Sequence, residues 1–230
     1  MATRNGEKYL HRQLESILAQ LGPDDEVVIS DDSSTDGTVG IVRGFGDDRV
    51  RLYEHNTFYS PIFNLENALE NATGDIIVLS DQDDIWLDNK IDIIREKFRG
   101  RRGAPYLIML DGYVIDEEGK VTDDSIFKKV HAGRGLLKNI YDNTYVGCCL
   151  AFSRELLQVA LPFPRKIPMH DMWLGLLAEL FGTVEFVEER TIEYRRHGEN
   201  VSRRSRSVLL QVKRRFFLAV NLVRRYLERQ

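Results

Sequence analysis

Only two cysteines stand in 230 residues, and they are neighbours, Cys148 and Cys149. Adjacent Cα atoms sit about 3.8 Å apart, below the span of a normal disulfide, so the pair reads as small buried residues suited to a reducing cytoplasm. No apolar run reaches the roughly 18 residues of a membrane helix, and no secretory signal is visible at the start. Neither Gly-rich phosphate fingerprint, dinucleotide or P-loop, is present. Internal repeats and low-complexity linkers are absent as well. A disulfide scaffold and a helical membrane span are thereby excluded.

Acidic residues are what the C-terminus lacks. Arg203, Arg204, Arg206, Lys213, Arg214, Arg215, Arg224, Arg225 and Arg229 crowd it, opposed there by Glu228 alone. The net charge of −4 therefore hides a body more acidic than the total, which argues against a nucleic-acid-binding body. With 43% hydrophobic and 30% charged residues, the chain is composed like an ordinary globular protein, one domain or one domain with an appendage.

What is present is organised around DIIVLSDQDDIW, Asp75 to Trp86. Ile76 to Leu79 predict a strand buried on both faces, and Asp81, Asp83 and Asp84 follow within a few positions. Carboxylates this close repel one another unless water or a cation screens them. At the carboxyl end of a buried strand a hard divalent cation answers that repulsion, and a solvated acidic loop is the plainer alternative. Around this stretch strand and helix alternate. Leu10, Leu14, Ile17, Leu18 and Leu21 are spaced as a helix closed by Gly22-Pro23, EVVIS as a strand, and Pro61 to Ala72 as a helix. Helices are expected near Asn89 to Phe98 and Asp171 to Phe181. Strands are expected at Tyr106 to Ile115 with a bend at Asp111-Gly112, at Val146 to Phe152, at Val184 to Val187 and at Thr191 to Tyr194. The alternation predicts an α/β fold with a mostly parallel central sheet flanked by helices.

ATRNGEKYLHRQLESILAQ, VVISDDSSTDGT, LSDQDDIWLDNK, VGCCLAFSREL, HDMWLGLLA and YRRHGENVS, in that order from Met1 to about Ser202, resemble the family 2 inverting glycosyltransferases of GT-A fold. The likeness is greatest to bacterial rhamnosyltransferase-type members that build surface polysaccharides. It implies a GT-A domain over 1–202 and a hexosyltransferase that inverts the sugar carbon. The implied donor is dTDP-rhamnose or a UDP-sugar, the cofactor Mg²⁺ or Mn²⁺, and the acceptor a glycan or a lipid-linked glycan. Residue by residue, it implies that Asp31 and Asp32 accept from the pyrimidine base and that Ala2 and Thr3 line base and ribose. Asp81 would face ribose or phosphate, Asp83 would ligate the cation with His197 near it or the diphosphate, and Asp171 would be the general base. Trp86, Gly147, Cys148 and His170 fall on the side of the donor or acceptor sugar. A glycoside hydrolase would need a paired acid and base, and a pyrophosphorylase a basic Gly-rich loop.

The same residues have plainer readings. Asp31-Asp32 is also an ordinary turn pair, Asp171 sits where a carboxylate favours a helix dipole, Gly147 can mark a bulge, and Trp86 reads as core or lid packing. Two departures from the resemblance stand out. Arg4 occupies a position usually aromatic, and Met1-Ala2-Thr3 lacks the apolar residues of a central first strand. A late start or a truncation would produce this, leaving a gap in the sheet and, as the alternative function, an inactive nucleotide-sugar-binding module.

From Arg203 to the end the pattern is one basic helix. Leu209, Val212, Phe216, Ala219, Val220, Val223 and Leu227 form one apolar stripe, with Arg214, Arg225 and Arg229 facing away and Leu210, Phe217 and Leu218 interrupting the polar side. The stripe either docks on the protein's own body or a second subunit, as in a homodimer, or lies in a membrane interface at the cytoplasmic face of the inner membrane. The basic composition favours the membrane.

Overall fold

The computed structural model describes residues 1–198 and 208–229. The end of the YRRHGENVS box, Arg203, Arg204 and Arg206, and the side chains of Leu209 and Leu210 lie outside the described residues. In chain order the elements are β1 (Ala2–Thr3), α1 (Leu10–Leu18), β2 (Val27–Asp31), α2 (Thr38–Gly44), β3 (Val50–Tyr53), α3 (Pro61–Asn71), β4 (Ile76–Val78), β5 (Ile85–Trp86) and α4 (Lys90–Phe98). There follow β6 (Tyr106–Ile115), β7 (Val121–Asp123), α5 (Ile126–Val130), α6 (Leu136–Tyr141), β8 (Leu150–Ser153), α7 (Arg154–Ala160), α8 (His170–Phe181), β9 (Thr183–Arg195) and α9 (Val208–Leu227).

The expected α/β fold is present as two sheets. The first is parallel, in the order β1-β2-β3, and carries the N-terminal loops. The second runs β4-β8-β6-β9-β5 with β7 on β6; β6 and β9 are parallel, and its other pairings are antiparallel. Apolar side chains at helical spacing seat α1 in the core, where Leu10, Leu14, Ile17 and Leu18 are all buried. Ser60 caps α3 by accepting the Phe63 N–H, with Pro61 in the first turn, where its missing donor costs nothing.

Three local expectations change. Val146 to Cys149 is not strand: Gly147–Cys149 forms a 3-10 turn, and β8 starts only at Leu150. The two short strands expected after residue 183 are one, β9, because the register shifts opposite Leu110 and Asp111 absorb the polar Glu188 to Arg190 run. Arg190 lies 3.0 Å from the buried Asp111 carboxylate, which secures that irregularity. Finally, Ile76 and Val78 are only half-buried, while Ile77 and Leu79 lie inside.

The reason lies between the sheets. β2 and β4 flank a cavity of about 370 Å³ walled by apolar side chains, among them Val28, Leu65, Leu69, Ile77, Trp86 and Ile94. Among the described residues no ladder joins the two sheets across it. The Met1 ammonium sits at its edge, donating to Val28 O at 2.8 Å, and burial pulls its pKa down to about 6.

The C-terminal helix docks, but not by the stripe. Leu218 and Leu222 are buried in the core cluster, and the Arg225 guanidinium donates to the carbonyls of Val159 in the last turn of α7 and of Leu161 (3.0 Å) and Pro162 (2.8 Å) just past it. Those carbonyls end a helix and have no partner within it, so a cation there satisfies both hydrogen bonding and the helix dipole.

Candidate active site

The DQDD segment is held from both sides. Buried Gln13 of α1 donates through Nε2 to Ser80 Oγ and Asp81 O, both at 2.9 Å, and Ser16 Oγ accepts the Trp86 N–H at 3.0 Å. From the other side the Gln82 amide mimics a strand partner: it accepts from Arg4 N (2.9 Å) and donates to Arg4 O (3.1 Å). Gly6 permits this clasp, since a Cβ there would lie 2.5 Å from Gln82 Oε1. The loops after β1 and β4 thus form one rim.

On that rim Asp81 is accessible to solvent yet closely surrounded by protein. Desolvation, then the charges of Asp83 and Asp171, push its carboxyl up to about 7. Asp84 is buried: Oδ1 accepts the Arg195 N–H at 2.9 Å, while Oδ2 has no hydrogen-bond partner. Burial, Asp83 and Asp81 raise its pKa well above the carboxylate range. The third carboxylate, Asp83, meets His197, with Oδ2 2.7 Å from Nε2.

Arg195, to which sequence reasoning gave no role, makes that meeting possible. It is buried, donating through Nε to Asp83 O (2.9 Å) and through Nη1 to Asp116 O (3.0 Å) and Glu117 O (3.1 Å). Its guanidinium also lies over the Tyr9 ring, 4.8 Å from the centroid, and that ring packs beside His197 at 5.4 Å. The only sequence signal was a paired arginine just ahead of the histidine, which does not tell which arginine turns inward.

The nucleotide residues of the resemblance gather on the first sheet. Ala2 pairs with Ser30 and Thr3 with Asp31 across β1 and β2. Asp31 is spent on shaping the loop, accepting from Thr3 Oγ1 (2.8 Å), Ser34 N (2.8 Å) and Ser34 Oγ (2.5 Å). Asp32 accepts the amides of Phe58 (2.7 Å) and Ser60 (3.3 Å), with Arg4 4.0 Å away. Arg4 in turn lies over the exposed Tyr59 ring at 5.4 Å. Phe58 and Tyr59 were missed; an aromatic pair in a polar loop (NTFYS) was the available sign.

Asp171 opens α8, and Oδ1 accepts from Met172 N (2.5 Å) and Asn143 Nδ2 (3.3 Å). The helix dipole and both donors favour the charged form, yet burial outweighs them and lifts the carboxyl to about 7. Asn143 is delivered by the segment ahead of Tyr145, whose ring lies on α8 where Gly175 has no side chain; a Cβ there would be 2.3 Å from it. His170 beside Asp171 is buried with Nδ1 unpartnered, and burial drives its pKa down to about 4, so the ring stays neutral. Gly147 gives it room, since a Cβ there would stand 2.9 Å from His170 Nε2.

Two residues assigned to the sugar side are placed elsewhere. Cys148 is completely buried, and its carbonyl accepts from the buried Lys90 Nζ at 3.0 Å. Trp86 is core, with the Lys90 ammonium 4.9 Å from its ring centroid.

Asp81, Asp84 and Cys148 hold ligand atoms within 4.8 Å of one another. Cys148 does not suit a hard cation, because the neighbouring Cys149 thiol and burial push its own thiol well up and keep it protonated. The Asp83–His197 pair suits one better. Carboxylate with imidazole fits Mn²⁺ well, whereas Mg²⁺ prefers oxygen throughout.

An α/β sheet with an acidic rim and a half-buried carboxylate beside it defines the class, a nucleotide-sugar fold of GT-A type. The profile of Glycosyl transferase family 2 matches residues 1–160, and the chain belongs to that family. An uncharacterized glycosyltransferase of Nostoc sp. is 28% identical over 207 residues, 85% of this chain and 63% of its own length. WfgD of Escherichia coli, a UDP-Glc:α-D-GlcNAc-diphosphoundecaprenol β-1,3-glucosyltransferase, is 27% identical over 182 residues, 78% of this chain and 68% of its own. Among solved structures, residues 1–349 of S. aureus TarS with UDP-GlcNAc superpose with a TM-score of 0.75 at 22% identity, covering 95% of this chain and 64% of that one. Glucosyl-3-phosphoglycerate synthase of Mycobacterium tuberculosis with Mn²⁺, UDP and phosphoglyceric acid gives 0.56 at 22%, covering 97% and 76%. The chain thus spans under two thirds of the Nostoc relative and of the TarS fragment.

Proposed function

We propose that the domain over residues 1–202 transfers a hexosyl group from a pyrimidine nucleoside-diphosphate sugar to a hydroxyl of a glycan or lipid-linked glycan, with inversion, in bacterial surface polysaccharide synthesis. The observation that carries this reading is the convergence of Asp83, His197 and Asp81 on one rim with Asp171 near enough for its charge to raise the Asp81 pKa. The base and ribose lie along Ala2, Thr3 and Asp32, where the Phe58–Ser60 loop already closes over the carboxylate. Asp83 and His197 would hold a divalent cation, Mn²⁺ in preference to Mg²⁺, which would supply positive charge against that developing on the leaving diphosphate. Asp171 removes the acceptor proton while the acceptor oxygen attacks the anomeric carbon opposite the diphosphate. The bond to the diphosphate oxygen breaks, its electron pair leaves with the phosphate, and the configuration inverts.

A base whose pKa lies near 7 suits proton transfer at neutral pH. Neutral His170 beside it is placed to orient a sugar hydroxyl, and Gly147 keeps that approach open. WfgD is named for UDP-Glc, and a Shigella flexneri relative 38% identical over 102 residues is named a dTDP-rhamnosyl transferase, which supports a UDP-hexose and dTDP-L-rhamnose alike as donors to be tested. The test is a panel of UDP- and dTDP-sugars with Mn²⁺, scored by released nucleoside diphosphate and by the anomeric configuration of the product. Release with one donor, inverted product and loss of both in chelator are expected. No nucleotide binding with any donor would overturn the reading in favour of an inactive module.

A further inference from the structure

On a wheel of 3.6 residues per turn, Val212, Phe216, Val220, Val223 and Leu227 of α9 span an arc of only about 80°. All are exposed, at 55%, 63%, 47%, 59% and 67%. Leu218 and Leu222, at 0% and 4%, lie on roughly the opposite face, with Arg225 beside them gripping the carbonyls after α7. The helix is therefore held by one face and turns a continuous apolar stripe outward. An apolar stripe of this kind on a monomer marks a partner or a membrane.

A second element adds to it. Helix α6 lies against α9, with Arg215 over the Tyr141 ring at 4.9 Å, and its Leu137 and Tyr141 are 81% and 73% exposed. The charge around this surface has one dominant sign. Lys213 and Arg224 flank the stripe on one side and Arg215 on the other, Lys138 stands on α6, and Lys166 lies over the Phe217 ring at 4.5 Å. Arg224 shares Glu228 at 2.8 Å, the one acidic residue of the helix end. Apolar side chains ringed by cations are complementary to a bilayer with anionic headgroups, where acyl chains take the former and lipid phosphates the latter.

We propose that the outer face of α9, joined by Leu137 and Tyr141 of α6, is a binding surface for a bilayer containing anionic phospholipid. The surface stands on its own geometry. Its use in catalysis rests on the reading above: Tyr141 is two residues from Asn143, which bonds Asp171, so a membrane on this face lies on the base's side of the site.

The experiment is co-flotation of the whole chain with vesicles of phosphatidylcholine plus phosphatidylglycerol, against vesicles of phosphatidylcholine alone. Binding to the anionic vesicles, weakened by salt, is expected. The double variant Phe216→Glu, Val220→Glu should bind at least about tenfold less, and both sites are exposed, so melting temperature should hold. As a second reading that leaves the stripe apolar, Phe216→Trp should show indole fluorescence quenched by brominated lipid. No flotation of the wild type, flotation indifferent to lipid charge, or a double variant that floats as the wild type does would overturn the proposal. So would sedimentation showing that the double variant splits a dimer while the wild type ignores vesicles, which would make the stripe an interface between copies. None of these outcomes depends on sugar transfer, so they leave the catalytic reading to its own test.

Discussion

His197 Nε2 lies 2.7 Å from Asp83 Oδ2 although 114 positions separate the two residues. Neither side chain reaches this point alone. Asp83 sits in a loop clasped by Gln13 and Arg4, and His197 leaves the end of β9, the strand that Asp84 holds by accepting the Arg195 N–H. The candidate cation site is thus a junction between the loop after β4, clasped by the loop after β1, and the end of β9.

Arg195 is the residue on which that junction turns. Arg195→Ala should lower Mn²⁺ affinity by about 10–100-fold, as loss of outer-shell support commonly does. It should also lower the melting temperature, because the carbonyls of Asp83, Asp116 and Glu117 each lose a buried donor. Calorimetric titration of Mn²⁺ beside a melting curve checks both. Unchanged affinity with lowered stability would assign Arg195 to the fold alone.

Asp171→Asn should keep donor binding and lose about 10²–10⁴-fold in transfer rate. The same substitution has a stability signature. The carboxyl titrates near 7 when folded against an ordinary value of 3.8, so the folded state retains the proton longer. Wild-type stability therefore falls as pH rises from about 4 to about 7. Relative to wild type, Asp171→Asn should be stabilised at pH 8, on the order of 1–2 kcal/mol after solvent screening, and gain nothing near pH 3. Denaturant unfolding at the two pH values measures it.

Asn143 donates to Asp171 and favours its charged form. Asn143→Ala should move the acid limb of the rate profile to higher pH, so that the loss at pH 6.5 exceeds the loss at pH 9. A uniform loss across pH would mean that Asn143 acts on the acceptor and not on the base.

Gly175→Ala should disturb the site from a distance. Its Cβ would stand 2.3 Å from the Tyr145 ring, which the Tyr145 hydroxyl ties to Glu179 at 2.6 Å. Overpacking of this kind costs about 1–3 kcal/mol. Displacement of the neighbouring Asn143 should cost rate as well, read as a lower kcat at saturating donor. Full activity at a lowered melting temperature would confine the effect to packing.

Much of the fold was legible because single elements carry their own pattern. The spacing of Leu10, Leu14, Ile17 and Leu18 marks α1, and Tyr106 to Ile115 marks β6 together with its irregularity at Asp111. What escaped was decided by partners far along the chain. The Glu188 to Arg190 run looks like a strand break until Asp111 is beside it. The wheel found the stripe of α9 but not which face docks, since that depends on Leu218, Leu222 and the carbonyls that Arg225 meets. In the site, Asp81, Asp83, Asp171 and His197 stand in motifs, whereas Arg195 and Asn143 act only through contacts. Cys148 and Trp86 lie in equally recognisable motifs and turn inward all the same.

The central claim is a cation held by Asp83 and His197. Its most direct test is Mn²⁺ binding followed by electron paramagnetic resonance in the presence of UDP, for wild type, Asp83→Ala and His197→Ala. The account predicts a tight ion on the wild type and a weakening of about tenfold or more in each variant, with circular dichroism unchanged. Indistinguishable Mn²⁺ binding by all three proteins would contradict it.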